Sequence, residues 1–173
     1  NLDRLQPYPF QKLNKLFEGI APQQAYPPIS LHIGEPKHAT PDFIRHVLTD
    51  NLSGMAVYPT TLGARPLRAG IARWLTRRYS LSDIDPDTQV IPVNGSREAL
   101  FSFAQAVIDP SRPEAIVVCP NPFYQIYEGA ALLAGATPHF LNTLPENDFA
   151  LDYGQLPEEI WSRTQLVYVC SPG

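Results

Sequence analysis

Cysteine, methionine and lysine are all scarce in this chain. Two cysteines and one methionine give no disulfide framework of the kind that staples small secreted domains. Cys119 and Cys170 each close an apolar run. That placement predicts buried thiols in a reducing compartment, with a bridge between neighbouring strands as the alternative. Lys12, Lys15 and Lys37 all fall in the N-terminal arm, so no lysine stands where a buried amine of lowered pKa is expected. There is no block of Lys or Arg, and the net charge is −4; a nucleic acid or an anionic membrane is not an expected partner. No apolar run approaches the ~20 residues that a membrane span needs. The opening NLDRLQPYPF has none of the apolar stretch of a signal peptide. These absences together predict a cytoplasmic protein. His32, His38, His46 and His139 lack metal-ligand spacing, and no metal is expected. No Ser-His-Asp or Cys-His set assembles, and neither a Walker loop nor a GxGxxG fingerprint occurs.

Proline, in contrast, is abundant at 19 of 173 residues, a length that suits one domain or one domain plus an arm. It is dense over 1–66, which predicts an arm with short elements there. Thr40-Pro41-Asp42 reads as an N-cap with proline in the first turn, opening FIRHVLTDN. A longer helix is expected over 65–79, with Leu67, Ile71, Trp74 and Leu75 on one face and Arg68, Arg73, Arg77 and Arg78 elsewhere. From about 88 onward the pattern alternates. Strands are expected near 89–93, 115–119, 137–141 and 165–170, with helices near 96–108, 123–134 and 154–162. AIVVC and LVYVC are apolar at every position, as parallel strands covered on both faces require. Pro92 within the first of these strands suggests an edge or a bulge.

The stretch 90–124 carries the chemistry. VIPV breaks at Asn94-Gly95-Ser96 and opens the helix REALFSFAQAVI; AIVVC breaks into Pro120-Asn121-Pro122-Phe123-Tyr124. A strand feeding a helix start through Gly and Ser leaves backbone N–H groups and the positive helix end facing outward, where a phosphate binds. The N–H groups of Ser96 and Arg97 and the Ser96 hydroxyl would hold it. An aromatic ring beyond the carboxyl end of the next strand, such as Tyr124, could cover a planar ring attached to that phosphate. The local residues leave simpler readings open: Ser96 as an ordinary cap, Arg97 as a solvated charge, Tyr124 as a core aromatic beside Tyr127. Tyr58 and Gly34 are likewise ambiguous. The former reads as a surface residue, and the latter as either a turn or a close backbone approach after the strand-like ISLHI. The last apolar strand stops three residues before the end, where ligands of open α/β sheets sit. The chain is therefore expected to be the N-terminal part of a larger protein.

Taken in order, five segments resemble the class I/II, fold-type-I aminotransferases that depend on pyridoxal 5′-phosphate. They are LHIGEPKHATP at 31–41, YPTTLGARPLRAGIARWLTRRY at 58–79, VNGSREALFSFAQAVIDP at 93–110, CPNPFYQIYEGAALLAGA at 119–136 and LVYVCSPG at 166–173. The resemblance implies an α/β fold in which 1–60 is the N-terminal arm and part of the small domain. It makes 61–87 a helical connection and 88–173 the first half of a large, mostly parallel α/β/α cofactor domain. It assigns Gly95, Ser96 and Arg97 to the cofactor's phosphate, Tyr124 to the face of its pyridine ring, and Tyr58 to the phosphate held by a partner subunit. Gly34 would meet the substrate's α-carboxylate through its backbone. The implied assembly is a homodimer with shared active sites, acting on amino acids and 2-oxo acids. HIGEPKHATP, GSREALFSF and NPFYQIYEGA are similar to the branch that moves an amino group between glutamate/2-oxoglutarate and N-succinyl-L,L-diaminopimelate/L-2-succinylamino-6-oxopimelate, in diaminopimelate and lysine biosynthesis. Aminotransferases for aspartate, alanine or aromatic substrates, and a regulator that binds the cofactor without turnover, are the alternatives. The family's cofactor-carrying lysine, the aspartate at the pyridine nitrogen and the carboxylate-clamping arginine are not among these residues, so no catalytic residue is expected within 1–173.

Overall fold

A computed structural model describes residues 2–21, 25–27, 29, 31 and 34–171. The strand-like ISLHI at 29–33 and the terminal Pro172 and Gly173 lie partly or wholly outside them. The described residues divide into two compact units, Phe17–Pro92 and the remainder.

The larger unit is built on one strand. β1 (Ile116–Asn121) is flanked by β2 (Thr137–Asn142) and β3 (Thr164–Val167) in a parallel sheet of order β2-β1-β3. Because strand side chains alternate, an all-apolar β1 buries two faces at once. Val117 and Cys119 point into a cluster with Ala104 of one helix, Ile108 just past its end, and Tyr127, Ala130 and Ala131 of another helix. Ile116 and Val118 point the other way, to Leu141 and Leu156, with Ile160 and Trp161 beside them. Val117, Val118 and Cys119 are 0% exposed, and burying each such side chain stabilises the fold by about 2 kcal/mol. Burial also pushes the Cys119 thiol up to about 12, which makes it an inert packing group.

The helices on the first face are α4 (Ser96–Val107) and α5 (Ile126–Leu133), joined by Gln105 Nε2 donating to the Ala130 carbonyl at 3.0 Å. The alanines of GAALLAGA let α5 lie close against the sheet. α6 (Glu158–Arg163) covers the second face. A short helix, α1 (Pro9–Leu16), and a 3₁₀ turn at Leu2–Arg4 begin the unit. Beyond β3, the Tyr168 hydroxyl donates to the Leu100 carbonyl on α4 at 2.8 Å, and its ring stacks on Tyr127 at 4.2 Å.

The segment 89–93 forms no strand: residues 90–93 are irregular, with Ile91 and Val93 more than half exposed. Pro92 cannot donate to a ladder, and no neighbouring strand among the described residues offers it a partner.

In the smaller unit, α2 (Asp42–Asp50) starts one residue later than the sequence pattern suggests. Pro41 is its cap residue, with its carbonyl accepting from Ile44 and no side-chain cap bond from Thr40. α3 (Arg65–Tyr79) has its expected span but a different inner face. Arg68 and Ala72 are its buried residues, while Leu67 and Trp74 are about half exposed. Arg68 is tolerated inside because Nη1 donates to the Pro86 carbonyl at 2.6 Å and to Asp87 Oδ1 at 2.9 Å. Arg65 holds the other oxygen of Asp87, so one carboxylate pins the 80–92 segment to α3.

Gly63, in the turn before α3, has φ +76°, and a Cβ there would meet Pro92 Cγ at 2.7 Å. The pyrrolidine ring cannot swing aside as a flexible chain end can. In the intact protein Gly63→Ala should therefore lower stability by about 1–3 kcal/mol, read as a fall in Tm by calorimetry. An unchanged Tm would show that the turn and Pro92 are free to separate.

Candidate functional site

Apolar positions of α4 fix it on the sheet: Leu100, Phe101 and Ala104, with Ile108 just past its end, pack on the core, leaving Ser96, Arg97 and Glu98 exposed at its start. The cap residue is Gly95, in extended backbone, and Ser96 is the first helical residue. The simpler reading of Ser96 as a self-contained cap is not what the geometry gives, because no side chain caps this helix. Ala99 is the first residue to donate back, to the Gly95 carbonyl at 3.1 Å. The N–H groups of Ser96, Arg97 and Glu98 consequently have no protein acceptor among the described residues. Three unsatisfied donors at the positive end of a twelve-residue helix are the chemistry an anion would meet.

Gly95 bears on this site through space rather than through its backbone angle. Glu98 folds back so that its carboxylate occupies the position a Cβ at residue 95 would take. An acidic group in the first turn complements the helix dipole, and as the end of a flexible chain it can yield to another anion.

Tyr124 comes from the neighbouring strand end. Past β1, the Asn121 carbonyl accepts from Thr143 N at 2.9 Å, and its Nδ2 donates to Asn142 Oδ1 at 2.7 Å. Phe123 stacks on Phe140 at 4.7 Å. This turn, anchored on β2, delivers Tyr124 to the start of α4. Arg97 Nε donates to the Tyr124 hydroxyl at 2.7 Å, and the guanidinium carbon lies 5.8 Å from the ring centroid. The hydrogen bond to Tyr124 raises the Arg97 pKa further above its ordinary value. Tyr124 also meets the edge of Tyr127 at 5.9 Å and 84°, and keeps 37% of its surface exposed.

Gly95, Ser96, Arg97 and Tyr124 are thus brought together. The sequence pattern predicted the helix start and the ring but not the bond between Arg97 and Tyr124. Their separation of 27 residues has no local periodicity; the only available signal was that both follow apolar runs. Tyr58 and Gly34 belong to the other compact unit. Tyr58 is 97% exposed, and a Cβ at Gly34 would meet nothing within 4 Å. Neither makes a contact that singles it out. Among the described residues no group of three or more His, Cys, Asp or Glu could hold a metal ion, and no helix is long and apolar enough to cross a membrane.

The arrangement sets unsatisfied N–H groups at the α4 start beside a partly open aromatic ring. The chain as a whole is similar to known proteins. The profile of the family described as Aminotransferase class I and II matches residues 26–173. An LL-diaminopimelate aminotransferase from Nitratidesulfovibrio vulgaris (strain DP4) is 35% identical over 173 residues, covering 99% of this chain and 43% of the relative. A solved aminotransferase from Neisseria meningitidis Z2491 superposes with a TM-score of 0.90 at 48% identity, covering 99% of this chain and 44% of that one. The N-succinyldiaminopimelate aminotransferase of Mycobacterium tuberculosis superposes with a TM-score of 0.72 at 29% identity, over 82% of this chain and 36% of that one. The chain spans less than half the length of each of these relatives.

Proposed function

Since the chain belongs to the class I and II aminotransferases and has the fold-type-I α/β architecture over the residues described, we propose that it is part of a pyridoxal-phosphate-dependent aminotransferase. The observation that carries this reading is the pairing of three unsatisfied N–H groups at the α4 start with the open ring of Tyr124. The residues fit the cofactor. Its phosphate is a dianion of the size that a helix start accommodates, and its ring is flat, as a stacking partner for Tyr124 must be. The bound cofactor supplies an electron-withdrawing pyridine that makes a proton on the substrate's α-carbon acidic.

This chain's residues contribute binding and orientation. The amides of Ser96 and Arg97, with the Ser96 hydroxyl, would hold the phosphate. Gly95 keeps the approach free of a side chain, and the Glu98 carboxylate would have to leave this position for a phosphate to bind, since two anions cannot share one helix end. Tyr124 covers one ring face and excludes water from it. Tyr58 reaches the phosphate of the partner subunit's cofactor in a homodimer, and the Gly34 backbone meets the substrate's α-carboxylate. Residues 1–60 supply the arm and part of the small domain, and 88–173 begin the cofactor domain. The setting we propose is cytoplasmic.

For substrate, we place the reaction between glutamate/2-oxoglutarate and N-succinyl-L,L-diaminopimelate/L-2-succinylamino-6-oxopimelate, which serves lysine biosynthesis. The names of two of the similar proteins support a diaminopimelate skeleton. They differ in the succinyl group, so L,L-diaminopimelate itself is the second reading.

Two experiments on the full-length protein test the proposal. Ser96→Glu puts a fixed anion at the helix start and should cut cofactor retention at least tenfold, read as lost visible absorbance in the purified protein. Unchanged cofactor content would remove the phosphate assignment. With 2-oxoglutarate as acceptor, N-succinyl-L,L-diaminopimelate should give glutamate with a higher kcat/KM than L,L-diaminopimelate. The reverse order would favour the second reading, and turnover of neither would refute the diaminopimelate assignment.

A further inference from the structure

Arg97 has two uses open to it, and the structure shows which one its side chain takes. As the second residue of α4 it stands at the anion site, and its guanidinium is long enough to reach an anion there. Instead Nε donates to the Tyr124 hydroxyl at 2.7 Å, with the guanidinium carbon 5.8 Å from the ring centroid. The ring is then held at two points: the hydroxyl by Arg97 and one flank by the edge of Tyr127. Tyr127 is buried and stacks on Tyr168, whose hydroxyl donates to the Leu100 carbonyl of α4. Both supports of Tyr124 therefore lead back to the same helix, one turn apart, and that helix also carries the exposed N–H groups.

Resting on the proposal that Tyr124 covers the cofactor ring, we infer that Arg97 is a positioning residue: its guanidinium sets the tilt of Tyr124 while its backbone N–H serves the phosphate. A single helix start then fixes both the phosphate and the plane of the ring that stacks above it. Even on an anchored turn, a tyrosine side chain without a hydroxyl partner would lose rotamer freedom when a heterocycle stacks on it. Arg97 restricts that freedom beforehand, so cofactor binding has less ordering to do. Five donors in a rigid fork suit this role better than an ammonium, because Nε can engage the hydroxyl while the other N–H groups remain hydrated.

A double-mutant cycle on the full-length apoprotein tests the inference, with pyridoxal 5′-phosphate affinity and the induced circular dichroism of the bound cofactor as readouts. Tyr124→Phe keeps the ring and removes the acceptor; Arg97→Met keeps the chain length and removes the donors. Each alone should weaken affinity by about tenfold and diminish the induced dichroism. The double variant should be no weaker than the worse single one, because both remove the same bond. Arg97→Lys, which restores one donor, should recover part of the loss only where Tyr124 is intact. Additive losses would mean that Arg97 acts on the phosphate directly, and unchanged affinity in both single variants would mean that the bond does nothing; either overturns the inference. Tyr124→Ala separates the two levels of the argument. If it leaves affinity and dichroism unaltered, the stacking proposal itself fails; if it weakens both while the cycle is additive, only the role of Arg97 fails. Far-UV spectra of all variants should match the parent, which keeps a folding defect from imitating the result.

Discussion

Desolvation of Ile116, Val117, Val118 and Cys119 is the constraint around which the larger unit is arranged. A strand buried on both faces has nothing polar to offer along its length, so its chemistry collects where it ends. At that end the chain leaves the sheet through the Asn121–Tyr124 turn, and α4, held flat by Ala104 and Ile108, starts beside it. Position follows from packing: the apolar stripe of α4 fixes where its free N–H groups lie, and stacking of Phe123 on Phe140 fixes where the turn delivers Tyr124. The site is thus a by-product of core packing. Substitutions deep in β1, far from any ligand, are expected to disturb it by tilting α4.

Much of this was legible from residue order. The all-apolar run at 115–119 and the Gly-Ser start of α4 each mark an element that the structure contains, because burial and capping act locally. LVYVC at 166–170 is borne out only in part: β3 ends at Val167, and Val169 and Cys170, expected to be covered, are exposed. The same logic failed where an element depends on a partner. Residues 89–93 have strand-like composition, yet a strand exists only in a ladder, and Pro92 with no neighbour among the described residues makes none. α3 shows a second limit. Helical periodicity sorts apolar from charged positions, and it placed Arg68 outside; a carbonyl at Pro86 and the Asp87 carboxylate reversed that preference. Those acceptors lie 18 and 19 residues away, beyond the reach of any helical pattern.

The functional residues divide in the same way. Gly95 and Ser96 carry a local signal, since a helix start needs a cap and this one lacks a side-chain cap. Of the two readings the sequence left open, the hydrogen bonds show no side-chain cap at this helix start, which supports the proposed anion site. The bond between Arg97 and Tyr124 had no local signal at all and exists only because β1 and α4 are neighbours. Tyr58 and Gly34 rest on family resemblance, for nothing among the described residues around them marks them.

The central claim is that the amides opening α4 grip a phosphate. Hydrogen–deuterium exchange of the full-length protein over 93–101, with saturating pyridoxal 5′-phosphate or with pyridoxal, tests it most directly. Protection of the Ser96, Arg97 and Glu98 amides by the phosphorylated compound, largely absent with pyridoxal, is the predicted result. Equal protection by both, or none by either, would contradict the account.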